Sequence, residues 1–308
     1  MKGIMFTSKG VTEIINEPDP ECGEDELLLK TLYSGISNGT ERSFLTGGAY
    51  GGQKWPNRIG YLTVSEVLEL GSGITNYAKG DVVYTGTFSG HVATHTAKES
   101  DLIVKVPSTL DPKAATMLGI AGVSYFNATG VGVSEEDRVL VTGSGGIGLM
   151  TLQSAKSMGA HVTLASRTAH RRELGSRMGA DAAFEPDEAI LRDCGPYSVL
   201  LECAGAEIDP LIEPKKELLS RFSRVALIAG RFRVDYNFLW ASRLRVSFTQ
   251  SSHFDQPTLE KVTDLATEGI LDLGALIQKV VPIGNAVKTY NTLRDNPMSI
   301  GGIVFDWS

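Results

Sequence analysis

The sequence predicts an α/β protein in which an irregular β region precedes a doubly wound parallel sheet. Three observations predict it. From Glu136 onward, short apolar runs alternate with helical segments, as in a parallel sheet covered by helices. Before about residue 112, the apolar runs are short and broken by Gly, Pro, Asn and Asp, the residues of turns between strands. Between them, residues 138–150 read as a buried strand, a glycine turn and the start of a helix.

Taken in order, apolar runs at 27–29, 61–70, 81–84 and 102–106 predict strands of the first region. Pro107 and Pro112 mark the change to an Ala- and Gly-rich helical stretch at 113–131. Strands of the parallel sheet are expected at 139–141, 162–165, 198–202 and 224–228. In the helix after the glycine turn, Leu152, Ala155 and Met158 share a face, and Gly159 stands where a C-terminal cap is expected. Residues 243–249 alternate polar and apolar, as at a sheet edge or subunit contact, which leads us to expect a homodimer. A helix follows from Gln256 with Leu259, Val262, Leu265 and Ala266 on one face, and 300–305 reads as a final strand.

Composition narrows the function. The chain has 308 residues, enough for two domains, and its net charge of −7 gives no reason to expect nucleic acid or an anionic membrane as a partner. Cys22, Cys194 and Cys203 are odd in number and far apart, which excludes a disulfide framework. The first residues are too polar for a secretion signal, and no run of 18 apolar residues occurs, so a cytoplasmic protein is expected.

The glycine turn carries the first chemical signal. Gly143, Gly145 and Gly148 fall on G-x-G-x-x-G, with Gly146 and Ile147 inside it. The first glycine allows the tight turn, the second lets a pyrophosphate approach the backbone, and the third allows close packing of helix and strand. The helix N-terminus then offers N–H groups to the phosphates. At the end of the next strand, the place of the ribose-binding carboxylate is held by Ser166, followed by Arg167, with Arg171 and Arg172 close behind. A hydroxyl and guanidinium there suit a 2′-phosphate, so NADP(H) is the expected cofactor. Cys203-Ala204 and Ala229-Gly230 end two strands at the carboxyl edge of the sheet, where ligands bind in such folds.

The order of parts resembles the medium-chain dehydrogenase/reductase superfamily over essentially the whole chain. Its marks are Gly35-Ile-Ser-Asn-Gly39-Thr40-Glu41, Gly60-Tyr61, Gly80-Asp81-Val-Val, Gly90 with Ala93, Ala114-Ala115 and the glycine loop. The resemblance implies a GroES-like catalytic domain of residues 1–115 and 262–308, and a Rossmann domain of 116–261. It also implies Ser124 near the nicotinamide. The zinc enzymes of the superfamily carry a Cys near Gly-Thr-Asp, a Gly-His-Glu and a four-cysteine lobe. Here Ser37 and Asn38 stand around the Cys position, Tyr61 and Leu62 replace His and Glu, and the lobe is absent, so no metal is expected. The nearest subgroup is similar to the bacteriochlorophyllide dehydrogenases, through residues 33–41, Gly60-Tyr61 and Val304-Phe-Asp306-Trp307. That subgroup oxidises a secondary alcohol to a ketone.

Without metal, a hydrogen-bond donor must polarise the substrate carbonyl. Tyr61 is the first candidate and Thr40 the second, with Ser37, Asn38 and Glu41 in the same loop. Tyr50 and Trp55, in a Gly-rich loop, and His91 are candidates for contact with substrate, whereas His95 reads as structural. The expected activity interconverts a carbonyl and a secondary alcohol on a small organic molecule. The alternatives are reduction of an activated C=C bond and NADPH binding without turnover.

Overall fold

The computed structural model describes residues 1–48, 51–205, 217–229, 245–247, 253–297 and 301–308. It contains two compact units. The first comprises Met1–Gly119, Asp255–Thr267 and Leu273–Ser308, and the second Ile120–Phe254 and Glu268–Asp272.

The first unit is built on a seven-stranded sheet. Its centre is the ten-residue strand Glu26–Gly35, which pairs antiparallel with Thr63–Leu70, Thr94–Lys98 and Ile303–Asp306. Val82–Thr85 and Ile103–Lys105 continue the sheet on one side, and Lys279–Pro282 on the other. A separate hairpin pairs Lys2–Ser8 with Val11–Asn16. Alternation along Glu26–Gly35 sends Leu27 and Leu29 into one apolar core with Val67, Val83, Ala97 and Ile103. A second core gathers Ile4, Phe6, Leu45, Tyr290 and Phe305. The helix Gln256–Thr267 belongs to this unit as a whole, with Leu259, Val262, Leu265 and Ala266 buried as its periodicity predicts.

His95 lies inside this sheet, 5% exposed, with Thr31 Oγ1 3.5 Å from Nδ1 and Thr85 Oγ1 3.4 Å from Nε2. Burial lowers its pKa from 6.5 to about 4.

The second unit is a six-stranded parallel sheet. In spatial order the strands are Ala182–Phe184, His161–Ala165, Arg138–Thr142, Tyr197–Glu202, Leu219–Leu227 and Arg245–Ser247. Numbered by sequence within the sheet, that order is 3-2-1-4-5-6, the doubly wound arrangement. The strands read as continuous apolar runs because helices cover a parallel sheet, and Val139, Leu140 and Val141 are all at 0% exposure. Reversal of strand order falls beside Arg138–Thr142, the strand that feeds the glycine turn. The predicted helix over 113–131 is divided into Pro112–Ala115 and Leu118–Gly130, and the strand expected at 224–228 begins earlier, at Leu219. Of the run at 243–249, only the backbone strand Arg245–Ser247, at the sheet edge, falls within the described residues. No helix among the described residues is long and apolar enough to cross a membrane.

Candidate active site and nucleotide loop

In the first unit, the chain leaves the central strand at Gly35 and enters the helix Asn38–Thr46 through Ser37. Ser37 sits at the N-cap, yet its side chain makes no capping bond. Its Oγ instead accepts from Tyr61 Oη at 2.6 Å, and Thr40 Oγ1 lies 3.4 Å from the same phenol. Three of the expected catalytic residues therefore meet in one hydroxyl cluster. Asn38 opens the helix beside them.

Sequence reading missed Phe88. Its ring packs on Tyr61 with centroids 4.8 Å apart and planes tilted by 42°, and the residue is 65% exposed. The available signal was an aromatic residue in the Gly86–Gly90 loop just past a buried strand, at the mouth of which a large apolar side chain has no core to enter.

Glu41 and His91 lie inside the core. Both are fully buried. Ser37 N–H donates to Glu41 Oε1 at 2.8 Å, while Tyr290 Oη donates to Oε2 at 2.5 Å and His91 Nε2 lies 3.1 Å from it. His91 Nδ1 is 2.8 Å from Ser34 Oγ, which accepts from Trp307 Nε1 at 2.9 Å. The substrate contact expected of His91 is thus replaced by internal hydrogen bonds at both ring nitrogens, and Glu41 has no face toward solvent. Trp55 is half-buried against the Phe6–Tyr290 core. Tyr50 lies outside the described residues.

In the second unit the glycines have separable causes. Gly143 takes φ +86°, and a Cβ there would meet the Ala204 backbone at 2.9 Å. A Cβ on Gly148 would fall 2.1 Å from Gly143 O, so this glycine is required by the loop's own backbone. A Cβ on Gly145 meets nothing within 4 Å. That open space lies at the start of the helix Gly146–Ser157, whose N-cap Gly145 provides no side-chain cap. Backbone N–H groups facing open space are what a pyrophosphate needs, so these residues fit a dinucleotide.

The flanking residues divide by role. Ser166 is 4% exposed, and its hydroxyl lies 2.6 Å from Ser144 Oγ, which ties the glycine loop to the end of the next strand. Arg172 donates to Ser166 O at 2.8 Å and pairs with Glu185 at 3.1 Å, a clamp within the fold. Arg167 is exposed, and Arg171 is half-buried with its pKa lowered by desolvation. Ser124 is fully buried and donates to Ile147 O at 3.2 Å, inside the glycine helix. Burial pushes the Cys203 thiol up to about 12, away from the reactive thiolate form. Ala204 and Ala229 are at strand ends as expected, and Gly230 lies outside the described residues.

Known proteins resemble this chain over part or most of its length. Residues 146–268 match the zinc-binding dehydrogenases. The chain is 27% identical to cinnamyl alcohol dehydrogenase 2 of Oryza sativa subsp. japonica, over 63% of this chain and 61% of that one. It is 25% identical to L-threonine 3-dehydrogenase of Pyrococcus horikoshii, over 90% of each. A Sinorhizobium meliloti 1021 protein assigned as a zinc-binding dehydrogenase, solved bound to NADP, superposes with a TM-score of 0.83 at 21% identity, covering 99% of both chains. That likeness carries the fold.

The family name implies zinc, which takes thiolate, imidazole and carboxylate ligands in a tetrahedron. Among the described residues no three His, Cys, Asp or Glu side chains gather as a metal site. The hydroxyl cluster contains no thiolate, and the nearby imidazole of His91 is committed at both nitrogens. The described residues therefore offer no ligand set that fits a zinc ion. The likeness to zinc-binding dehydrogenases is carried by residues 146–268, and the likeness to L-threonine 3-dehydrogenase runs over most of the chain.

Proposed function

We propose that the chain is a zinc-independent NADP(H)-dependent oxidoreductase that interconverts a carbonyl and a secondary alcohol on a small organic molecule. The β unit is its catalytic domain and the parallel-sheet unit its nucleotide domain, in a cytoplasmic homodimer. The observation that carries this reading is the Tyr61–Ser37–Thr40 hydroxyl cluster, on a chain whose relatives include alcohol dehydrogenases. The nicotinamide, when bound, supplies hydride to the carbonyl carbon or accepts it from the alcohol.

The protein's own part is to polarise the oxygen and move a proton. Because Tyr61 donates to Ser37 Oγ, the Ser37 proton has no acceptor among the described residues and is available to a substrate oxygen. As the carbonyl is reduced, its oxygen takes the Ser37 proton, Ser37 takes the phenol proton, and Tyr61, half-exposed, regains one from water. Oxidation runs the same transfers backward. For the cofactor, Arg167 is the residue we assign to a 2′-phosphate, with Arg171 beside it in sequence.

The test is nicotinamide fluorescence on titration with NADPH and NADH, metal content on the same sample, and NADPH oxidation with a panel of ketones and enones. NADPH preference, turnover of ketones and no stoichiometric zinc are expected. Turnover of enones alone would move the reading to C=C reduction. Binding without any turnover would leave a nucleotide sensor, and one zinc per chain would overturn the metal-free mechanism.

A further inference from the structure

Ser37 has an unusual position for a helix N-cap. In the usual capping arrangement the serine hydroxyl accepts from an N–H of its own helix, while a glutamate of the first turn reaches back to the serine N–H. Here only the second half is made: Glu41 Oε1 accepts from Ser37 N–H, and the serine hydroxyl serves Tyr61 instead.

The carboxyl that holds Ser37 is itself held on every side. Tyr290 and His91 occupy Oε2, and behind His91 stand Ser34 and Trp307. The donors run in one sense. Trp307 N–H goes to Ser34 Oγ, Ser34 O–H to His91 Nδ1, and His91 Nε2–H to Glu41, leaving every member satisfied. Glu41, His91, Ser34 and Tyr290 are all at 0% exposure, beside an apolar core that includes Phe6, Leu45 and Phe305. Apolar residues would fill that volume at lower cost than a buried carboxyl. The network reaches the hydroxyl cluster through the bond from Ser37 N–H to Glu41.

We propose that Glu41, His91 and Tyr290 are positioning residues, which fix the Ser37 backbone so that its hydroxyl meets Tyr61 and does not cap its own helix. The proposal rests on reading the Ser37–Tyr61 pair as the proton donor to substrate. Tyr290→Phe removes one donor to Glu41 while keeping the ring that stacks edge-on against Phe6 at 5.0 Å.

The experiment compares wild type, Tyr290→Phe, Tyr61→Phe and the double variant, with the ketone that wild type reduces fastest. Tyr290→Phe is expected to lower kcat about tenfold at nearly unchanged KM, the effect of losing one buried hydrogen bond. In the Tyr61→Phe background the same substitution is expected to have almost no effect, because it acts through that phenol. A kcat equal to wild type, or full additivity in the double variant, overturns the proposal. If Tyr290→Phe does not fold, His91→Gln, which keeps an N–H donor for Glu41, is expected to retain kcat where His91→Leu loses it. Equal loss in both overturns the proposal. If wild type reduces none of the ketones, the reading of the hydroxyl pair fails, and amide exchange judges the network by itself. Exchange at Ser37 about tenfold faster in Tyr290→Phe supports it, and unchanged exchange overturns it.

Discussion

Acidification should unfold the β unit through His95. Its imidazole is almost fully buried and has only the hydroxyls of Thr31 and Thr85 near its nitrogens, so the charged form is poorly solvated and its pKa falls to about 4. In the unfolded chain the same ring titrates near the ordinary value of 6.5. Above that value both states are neutral and nothing is lost. Between 6.5 and about 4 the unfolded chain binds a proton that the folded one refuses, so stability falls as pH falls. A displacement of roughly 2.5 pKa units at 1.36 kcal/mol each gives a loss of about 3 kcal/mol, complete below pH 4. That is a large part of the stability of an ordinary domain.

The assay is urea unfolding of wild type and His95→Gln at several pH values from 7 to 4, followed by tryptophan fluorescence, to which Trp55 and Trp307 of the same unit contribute. Other groups titrate in both proteins and cancel in the difference. The stability of wild type relative to the variant should drop by about 3 kcal/mol across the window. A difference independent of pH would refute the account of His95 as a buried neutral ring.

Other outcomes follow from the two sites. Arg167→Ala should weaken NADPH binding by roughly ten- to a hundredfold and NADH binding little, the worth of a charge-assisted contact; equal losses in a fluorescence titration would remove Arg167 from the 2′-phosphate. Tyr61→Phe should lower kcat by about a hundredfold or more with KM nearly unchanged, as for loss of a proton donor, and a steady-state rate within twofold of wild type would exclude it. Gly145→Ala and Gly148→Ala should separate binding from folding. The first places its methyl in open space and should keep the melting temperature while losing nucleotide. The second puts a methyl 2.1 Å from a carbonyl oxygen and should lower the melting temperature itself. Equal melting temperatures in the two variants would contradict the contacts read for Gly148.

The parallel sheet was legible because its causes are local. Continuous apolar strands, helical periodicity in 149–155 and glycines at fixed offsets each act within a few residues of chain. The Tyr61–Ser37 contact was half legible: residue types named both partners, but neither their hydrogen bond nor Phe88 over the phenol has a short-range signature. The network behind them was not legible, since Glu41 meets Tyr290 across 249 positions and Ser34 meets Trp307 across 273. His91 misled for the same reason, because a polar residue after a glycine looks like a site residue until its two internal partners are known. The Ser166–Ser144 contact was not legible either, because Ser144 sits inside the glycine motif and reads there as filler.

The place of the strand Ile303–Asp306 also orders events during synthesis. It lies inside the seven-stranded sheet, between Lys279–Pro282 and Glu26–Gly35, and not at an edge. Glu26–Gly35 therefore meets this partner only after Ile303–Asp306 is made, roughly ten seconds to a minute later at about 5–20 residues per second. The parallel-sheet unit, drawn from Ile120–Phe254 and Glu268–Asp272, has all its strands in hand well before that. During the interval Tyr33–Gly35, which later pairs with Ile303–Asp306, is open to mispairing, a hazard that falls on the half of the protein carrying Ser37 and Tyr61.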